Sequence, residues 1–135
     1  MQALNFFSFF FVIWNMNKKT VVIGASAKPD RYSNRAVRML QKHHHDVVAL
    51  GFEPDFIEEI PIQTKWEHYE QVDTVTLYLN PQRQKQYYAY ILSLNPKRII
   101  FNPGTENPEL EQLALDRQIL SIEACTLVML STGQF

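Results

Sequence analysis

The chain has 135 residues, 46% of them hydrophobic, enough for one domain with a buried core. Its 13 basic and 14 acidic residues leave a formal charge of -1, so no global field draws in nucleic acid or holds an anionic membrane surface. One cysteine, Cys125, excludes an internal disulfide and a cysteine-based zinc site, and suits a reducing, cytoplasmic setting.

The run Phe6-Phe7-Ser8-Phe9-Phe10-Phe11-Val12-Ile13-Trp14 is too short to span a bilayer as a helix and has no basic residue ahead of it. Met16-Asn17-Lys18-Lys19 stands directly before the first strand signal, so translation is expected to start at Met16. Residues 1–16 are then an apolar extension and residues 17–135 the domain.

Thr20-Val21-Val22-Ile23 is an apolar, β-branched run that reads as a strand buried on both faces, breaking into a small-residue turn at Gly24-Ala25-Ser26. Ser33 is the expected N-cap of the helix that follows, in which Ala36, Val37 and Leu40 recur at helical spacing. Strand, tight turn and helix gather backbone N–H groups and the positive end of a helix dipole, an arrangement that favours an anion, most often a phosphate. Lys28 and Arg31 stand beside it, either as contacts or as solvated surface charges.

That helix stops at His43-His44-His45, before the short strand Asp46 to Leu50, which ends at Gly51. Consecutive side chains on a helix diverge, so three adjacent histidines seldom share one ion; imidazoles at a helix C-terminus suit the dipole instead. Ile62-Gln63-Thr64 predicts a short strand and Trp66 to Gln71 a turn of helix. Val72 to Leu79 is rich in strand formers and stops at Asn80-Pro81, from which a helix is expected over Gln82 to Leu94, with Tyr87, Tyr88, Ile91 and Leu94 towards the sheet. Arg98-Ile99-Ile100-Phe101 is another buried strand, closing at Asn102-Pro103-Gly104-Thr105. Asn107-Pro108-Glu109 then reads as N-cap, N1 proline and first-turn acid of a helix to about Arg117. Ile119 to Glu123 is the last strand, followed by Cys125-Thr126 and an apolar turn over Leu127 to Leu130.

Five or six short strands alternating with helices predict an α/β fold: a Rossmann-like, doubly wound, mostly parallel sheet with helices on both faces. Ligands of such sheets bind beyond the carboxyl ends of the strands, near the point where strand order reverses. The Asn-Pro pairs at two of those ends serve equally as turn formers. The dinucleotide fingerprint G-x-G-x-x-G is absent, because Ser26 and Pro29 stand where its later glycines belong, and Leu50-Gly51 closes the second strand without an acid for a ribose. NAD(P) is therefore disfavoured, and a nucleotide-binding protein of that kind is the alternative.

Val22-Ile23-Gly24-Ala25-Ser26 with Pro29, Arg31-Tyr32-Ser33 and Arg35-Ala36-Val37 resembles the stand-alone CoA-binding proteins, which are similar to the nucleotide-binding domain of the succinyl-CoA synthetase α subunit. Val72-Asp73-Thr74-Val75, Asn80-Pro81, Ile99 to Asn107 and Glu123 to Leu130 extend the resemblance, in order, over about residues 19–135; the run Asn102-Pro103-Gly104-Thr105-Glu106-Asn107 is its most specific part. The resemblance implies coenzyme A or an acyl-CoA as cofactor, with Gly24, Ala25 and Ser26 at the pyrophosphate and Arg31, Tyr32, Ser33 and Lys28 near the phosphates. It also implies Gly51 by the adenosine, and Asn80, Pro81, Asn102, Pro103 and Gly104 along the pantetheine arm. The chain departs from the family in carrying Gly51-Phe52-Glu53-Pro54 where relatives show Asn-Pro, and in replacing the helix-ending glycine within the histidine run.

The charge of coenzyme A matches a helix N-terminus with Lys28 and Arg31 beside it, and an apolar groove suits its arm. None of His43, His44, His45 and His68 stands in a recognisable active-site motif, so binding without catalysis is expected. The alternative enzyme, acting on an acyl-CoA, would use Glu106 or Glu123 near the thioester. Cys125, after the last strand, is a candidate for a mixed disulfide with the CoA thiol. The expected partner is the small-molecule ligand, with a homodimer or a ligand-dependent regulatory protein both compatible with this reading.

Overall fold

The computed structural model describes residues 17–135, so the apolar extension and the expected start at Met16 lie outside the described residues. The chain runs β1 (Thr20–Ala25), α1 (Tyr32–Lys42), β2 (Val47–Gly51), β3 (Phe56–Ile57), β4 (Ile60–Gln63) and β5 (Thr74–Leu77). It continues through α2 (Pro81–Gln84), a 3-10 turn (Lys85–Tyr87), α3 (Tyr88–Ser93), β6 (Arg98–Phe101), α4 (Pro108–Leu115), β7 (Leu120–Glu123) and α5 (Thr126–Ser131). Seven strands form one sheet in the order β3-β4-β2-β1-β5-β6-β7, all parallel except β3, which is antiparallel to β4. This is a Rossmann-like α/β sheet whose strand order reverses between β1 and β5.

Parallel strands with both faces covered read as unbroken apolar runs, and β1 and β5 are buried along nearly their whole length. Val21, Ile23, Val75, Leu77, Ile99 and Phe101 pack on one face against Ile91 and Leu92 of α3 and Leu110 and Ala114 of α4. Val22, Ala25, Val47 and Ala49 pack on the other against Val37 and Leu40 of α1 and Leu130 of α5. The register of β1 on β2 slips between Ile23 and Ala25, where Gly24 takes φ +98°. That irregularity turns Ala25 to the face of Val22.

The sheet has seven strands rather than five or six, because Phe56–Ile57 folds back on Ile60–Gln63 through a tight turn with Glu58 at φ +52°. Trp66 to Gln71 is not helical: the Trp66 indole donates to the Gly51 carbonyl at 3.1 Å and stacks on Tyr87, and these long-range bonds override local propensity. The helix expected over Gln82 to Leu94 is broken by the 3-10 turn, with Gln84 sending its amide inwards to the Leu79 and Thr105 carbonyls. The helix from Pro108 ends at Leu115, short of Arg117. Ser33 is not an N-cap. Arg31 holds that place in extended conformation with no side-chain cap, while Ser33 is buried in the first turn of α1.

Candidate ligand-binding site

The carboxyl ends of β1, β2, β5 and β6 open on one cleft of about 960 Å³, at the reversal of strand order. Its floor depends on a close approach. A Cβ on Gly24 would lie 3.1 Å from the backbone C and O of Tyr78, and the positive φ strains any other residue there. The Tyr78 N–H donates to the Ile23 carbonyl at 2.9 Å, which fixes the exit of β5 beside that of β1.

The loop from Ser26 to Arg31 is braced from α1. Asn34 Nδ2 donates to the Ser26 carbonyl at 2.9 Å, Arg38 Nε to Asn34 Oδ1 at 2.8 Å, and Arg38 Nη2 to the Pro29 carbonyl at 3.1 Å. The Lys28 N–H donates to Ser26 Oγ at 3.2 Å, and the Arg31 N–H to the Lys28 carbonyl at 3.1 Å. The loop therefore delivers the uncapped start of α1, with Arg31, Tyr32 and Ser33, to the cleft. Helix first-turn N–H groups lack intrahelical acceptors, and here no side chain supplies one.

The far side is built by Phe52, Glu53 and Asp55 after β2, by Tyr78, Leu79, Asn80 and Arg83 after β5, and by Pro103, Gly104 and Thr105 after β6. Asn102-Pro103-Gly104-Thr105 is a type II turn: the Thr105 N–H donates to the Asn102 carbonyl at 2.9 Å, and Gly104 supplies φ +89° at the third position. Asn80 Oδ1 accepts from the Arg83 N–H at 2.9 Å and caps α2. Lys28, Arg31 and Arg83 are the cations of the lining. Burial of the Tyr78 hydroxyl pushes its pKa well up, so this phenol stays protonated.

A family model described as a CoA binding domain matches residues 18–131. The chain belongs to that family. A crystal structure described as that of an uncharacterized protein is similar to this chain at 46% identity and a TM-score of 0.86, covering 88% of this chain and 98% of the other. A hypothetical protein from Pyrococcus horikoshii OT3 shares the fold at 19% identity, with a TM-score of 0.77 and 98% of each chain covered. So does a cell-free product from Thermus thermophilus, at 21% identity and 0.76, covering 93% of this chain and 96% of that one. Among curated proteins no match was found.

Of the residues singled out in the sequence, the cleft collects Gly24, Ala25, Ser26, Lys28, Arg31, Tyr32, Ser33, Asn80, Pro103 and Gly104. Gly51, Pro81, Asn102 and Cys125 lie outside its lining. Gly51 answers to packing, since a Cβ there would meet the Ala25 carbonyl oxygen at 2.5 Å and Ile62 Cγ2 at 2.7 Å. Asn102 is buried below the cleft, where Nδ2 donates to Thr76 Oγ1 at 2.7 Å and the Leu77 carbonyl at 2.9 Å while Oδ1 accepts the Thr126 N–H at 2.8 Å. Its side chain ties β5, β6 and α5 together. Cys125 is half-buried at the start of α5, and Pro81 opens α2.

Phe52, Glu53, Asp55 and Arg83 were not singled out as site residues. Phe52 carried a signal as a large aromatic directly after a strand-ending glycine, whereas Arg83 carried none, because its neighbour across the cleft stands 31 positions earlier in the chain. The histidine run splays apart: His43 and His44 are exposed, and His45 Nδ1 accepts the Lys18 N–H at 3.0 Å. Among the described residues no helix is long and apolar enough to cross a membrane.

Proposed function

We propose that the cleft binds coenzyme A or an acyl-CoA without transforming it. One observation carries this reading: the uncapped first turn of α1 and the Gly24–Ser26 turn face into a cleft that also holds Lys28, Arg31 and Arg83, in a chain of the CoA-binding family. The pyrophosphate takes the backbone N–H groups of that turn and the dipole of α1. The adenosine lies towards Phe52 beyond β2, and the pantetheine arm runs past Asn80, Pro103 and Gly104. The resemblance to the synthetase α-subunit domain supports the same orientation.

Bound coenzyme A supplies a thiol that carries an acyl group as a thioester. The two carboxylates considered for chemistry on that thioester sit elsewhere. Glu106 Oε1 accepts the Gly104 N–H at 2.8 Å, and Glu123 faces Glu111, whose pKa is raised by burial and by Glu123 itself. Neither lines the cleft.

Thermal melting with CoA, acetyl-CoA, NAD, NADP and ATP side by side tests the reading. A ligand at a hundred times its Kd adds about 2.7 kcal/mol of stability, so the CoA compounds are expected to raise Tm while NAD leaves it in place. A shift with NAD alone would overturn the assignment. Incubation with acetyl-CoA and a thiol reagent is expected to show no release above buffer; release lost on Glu123→Gln or Glu106→Gln would establish the enzyme instead.

A further inference from the structure

One cation of the cleft is pinned by aromatic packing. Phe52 follows β2 and Arg83 lies in α2 after β5, and those two strands flank β1 on opposite sides. The Arg83 guanidinium carbon is 4.7 Å from the Phe52 ring centroid, so the pair bridges the carboxyl end of β1. Phe52 is itself held in place. Its ring centroid lies 5.6 Å from that of Trp66 and 6.1 Å from that of Tyr87, and those two are 4.5 Å apart. Trp66 is anchored in turn by its bond to the Gly51 carbonyl.

Phe52 is nevertheless 43% exposed, an aromatic surface left open at the mouth of the cleft. Among the described residues Arg83 enters no ion pair, although Glu53 and Asp55 line the same cleft. A guanidinium lying over a ring uses its face and keeps its N–H edge for a planar fork of acceptors.

We infer that the Phe52–Arg83 pair is a second anion station, which takes the 3′-phosphate of the CoA adenosine and selects the 3′-phosphorylated nucleotide over its dephospho form. The inference rests on the CoA reading of the cleft. Coenzyme A carries its pyrophosphate and its 3′-phosphate on opposite sides of one ribose, so two separate anion stations are needed. Lys28 and Arg31 belong to the loop beside the pyrophosphate; Arg83 is the cation whose head group reaches the β2 side, where the adenosine lies. Glu53 and Asp55 on that side repel a dianion, and Arg83 offsets them. Holding the guanidinium over the ring in advance lowers the ordering cost when the phosphate arrives.

Calorimetric titration of the full chain with CoA and with 3′-dephospho-CoA, at one ionic strength, tests this. A charge-assisted, bidentate contact corresponds to about tenfold or more in affinity, so the wild type is expected to prefer CoA by at least about that factor. Arg83→Met is expected to abolish the preference by weakening CoA alone, with dephospho-CoA unchanged. Phe52→Leu keeps the charge but loses the ring, and is expected to lower the preference by about threefold. Equal affinity of the wild type for the two nucleotides would overturn the inference while leaving the CoA reading standing. Arg83→Met weakening both alike would overturn it too, by moving Arg83 to the pyrophosphate. Undiminished preference in Phe52→Leu would remove the ring from the station. If neither nucleotide binds the wild type, the CoA reading fails first and the station with it.

Discussion

The two ends of the sheet use the same residue types in opposite ways. At the carboxyl end, Lys28, Arg31 and Arg83 line an open cleft and make no ion pair among the described residues. At the amino end the cations are used up. Arg98 donates to Thr74 Oγ1 at 2.7 Å and to the main-chain oxygen of Phe135 at 3.1 Å, lies 3.9 Å from Asp73, and sits 4.4 Å from the Phe135 ring centroid. Lys18 reaches the same Phe135 oxygen, and His45 packs on the same ring at 4.9 Å. A cation paired within the chain stabilises the fold; one left over the cleft is free for the anion of the proposed ligand. Desolvation of Arg98 is tolerated because its guanidinium has two acceptors and the Asp73 carboxylate beside it.

The sharpest way to break that contrast is to remove a buried polar group that props up the open end from below. Asn102→Ala takes the side-chain partner from the buried Thr126 N–H and the Leu77 carbonyl, and one of two partners from the Thr76 hydroxyl, which keeps its bond to Thr126 Oγ1 at 2.8 Å. Losing three buried bonds is expected to cost about 3 kcal/mol, a fall in Tm of roughly 10 °C for a domain of this size. Denaturant melts of the free protein measure it. An unchanged midpoint would mean that the cleft floor does not depend on this residue.

Next in size is a paired test across the two ends. Arg98→Ala removes a half-buried cation with two hydrogen bonds and a ring contact, and is expected to cost about 2 kcal/mol of stability with CoA affinity unchanged. Arg31→Ala should do the reverse, leaving stability within about 0.5 kcal/mol while weakening CoA by about tenfold. If both variants lost stability and neither lost affinity, the division of labour between the ends would be wrong.

The closed end also has a pH limit. Burial, and then the charge of Lys18, lower the His45 pKa from its usual 6.5 to about 4. The bond that His45 Nδ1 accepts from the Lys18 N–H requires the neutral ring. Between pH 6.5 and about 4 the unfolded chain takes up a proton that the folded chain refuses. Stability is therefore intact above pH 6.5 and is lost as pH falls towards 4. His45 is partly exposed, so solvent screening reduces the loss to about 1 kcal/mol. His45→Asn, which keeps an acceptor but does not titrate, should flatten this part of the profile. The same slope in the variant and the wild type would assign the acid limb to carboxylates.

These contrasts follow the line between local and distant information. The β1–α1 unit is legible because its apolar run, its turn and the spacing of Ala36, Val37 and Leu40 all lie within 21 consecutive residues, Thr20 to Leu40. The type II turn at Pro103-Gly104 is legible for the same reason. Phe56–Ile57 has no period of its own and becomes a strand only through its hairpin partner. The conformation at Trp66 is not legible locally, because its bond to Gly51 and its stack on Tyr87 join segments 15 and 21 positions away. The roles of Asn102 and Arg83 depend on the order of the strands, which no local pattern encodes. Helix ends show the limit most plainly. With four glycines in the chain, none is left for the C-termini of α1, α3 or α4, and the left-handed residues there are His44, Asn95 and Gln118.

α1 joins the two ends of the sheet: it starts in the cleft and finishes beside the amino-end cluster, and its last turn offers the smallest of the expected effects. The His45 N–H donates to the Leu40 carbonyl and the His44 N–H to the Gln41 carbonyl, both at 3.0 Å, with His44 at φ +67°. This is a Schellman cap with an imidazole where glycine is favoured. A non-glycine residue in that conformation costs about 1–2 kcal/mol, and the extra freedom of glycine in the unfolded chain takes back part of the gain. His44→Gly should therefore raise stability by about 0.5–1 kcal/mol with CoA affinity unchanged, since His44 is exposed and lies at the end of α1 away from the cleft. A loss of stability would show that the His44 ring holds the amino end together, and would extend the closed cluster to include it.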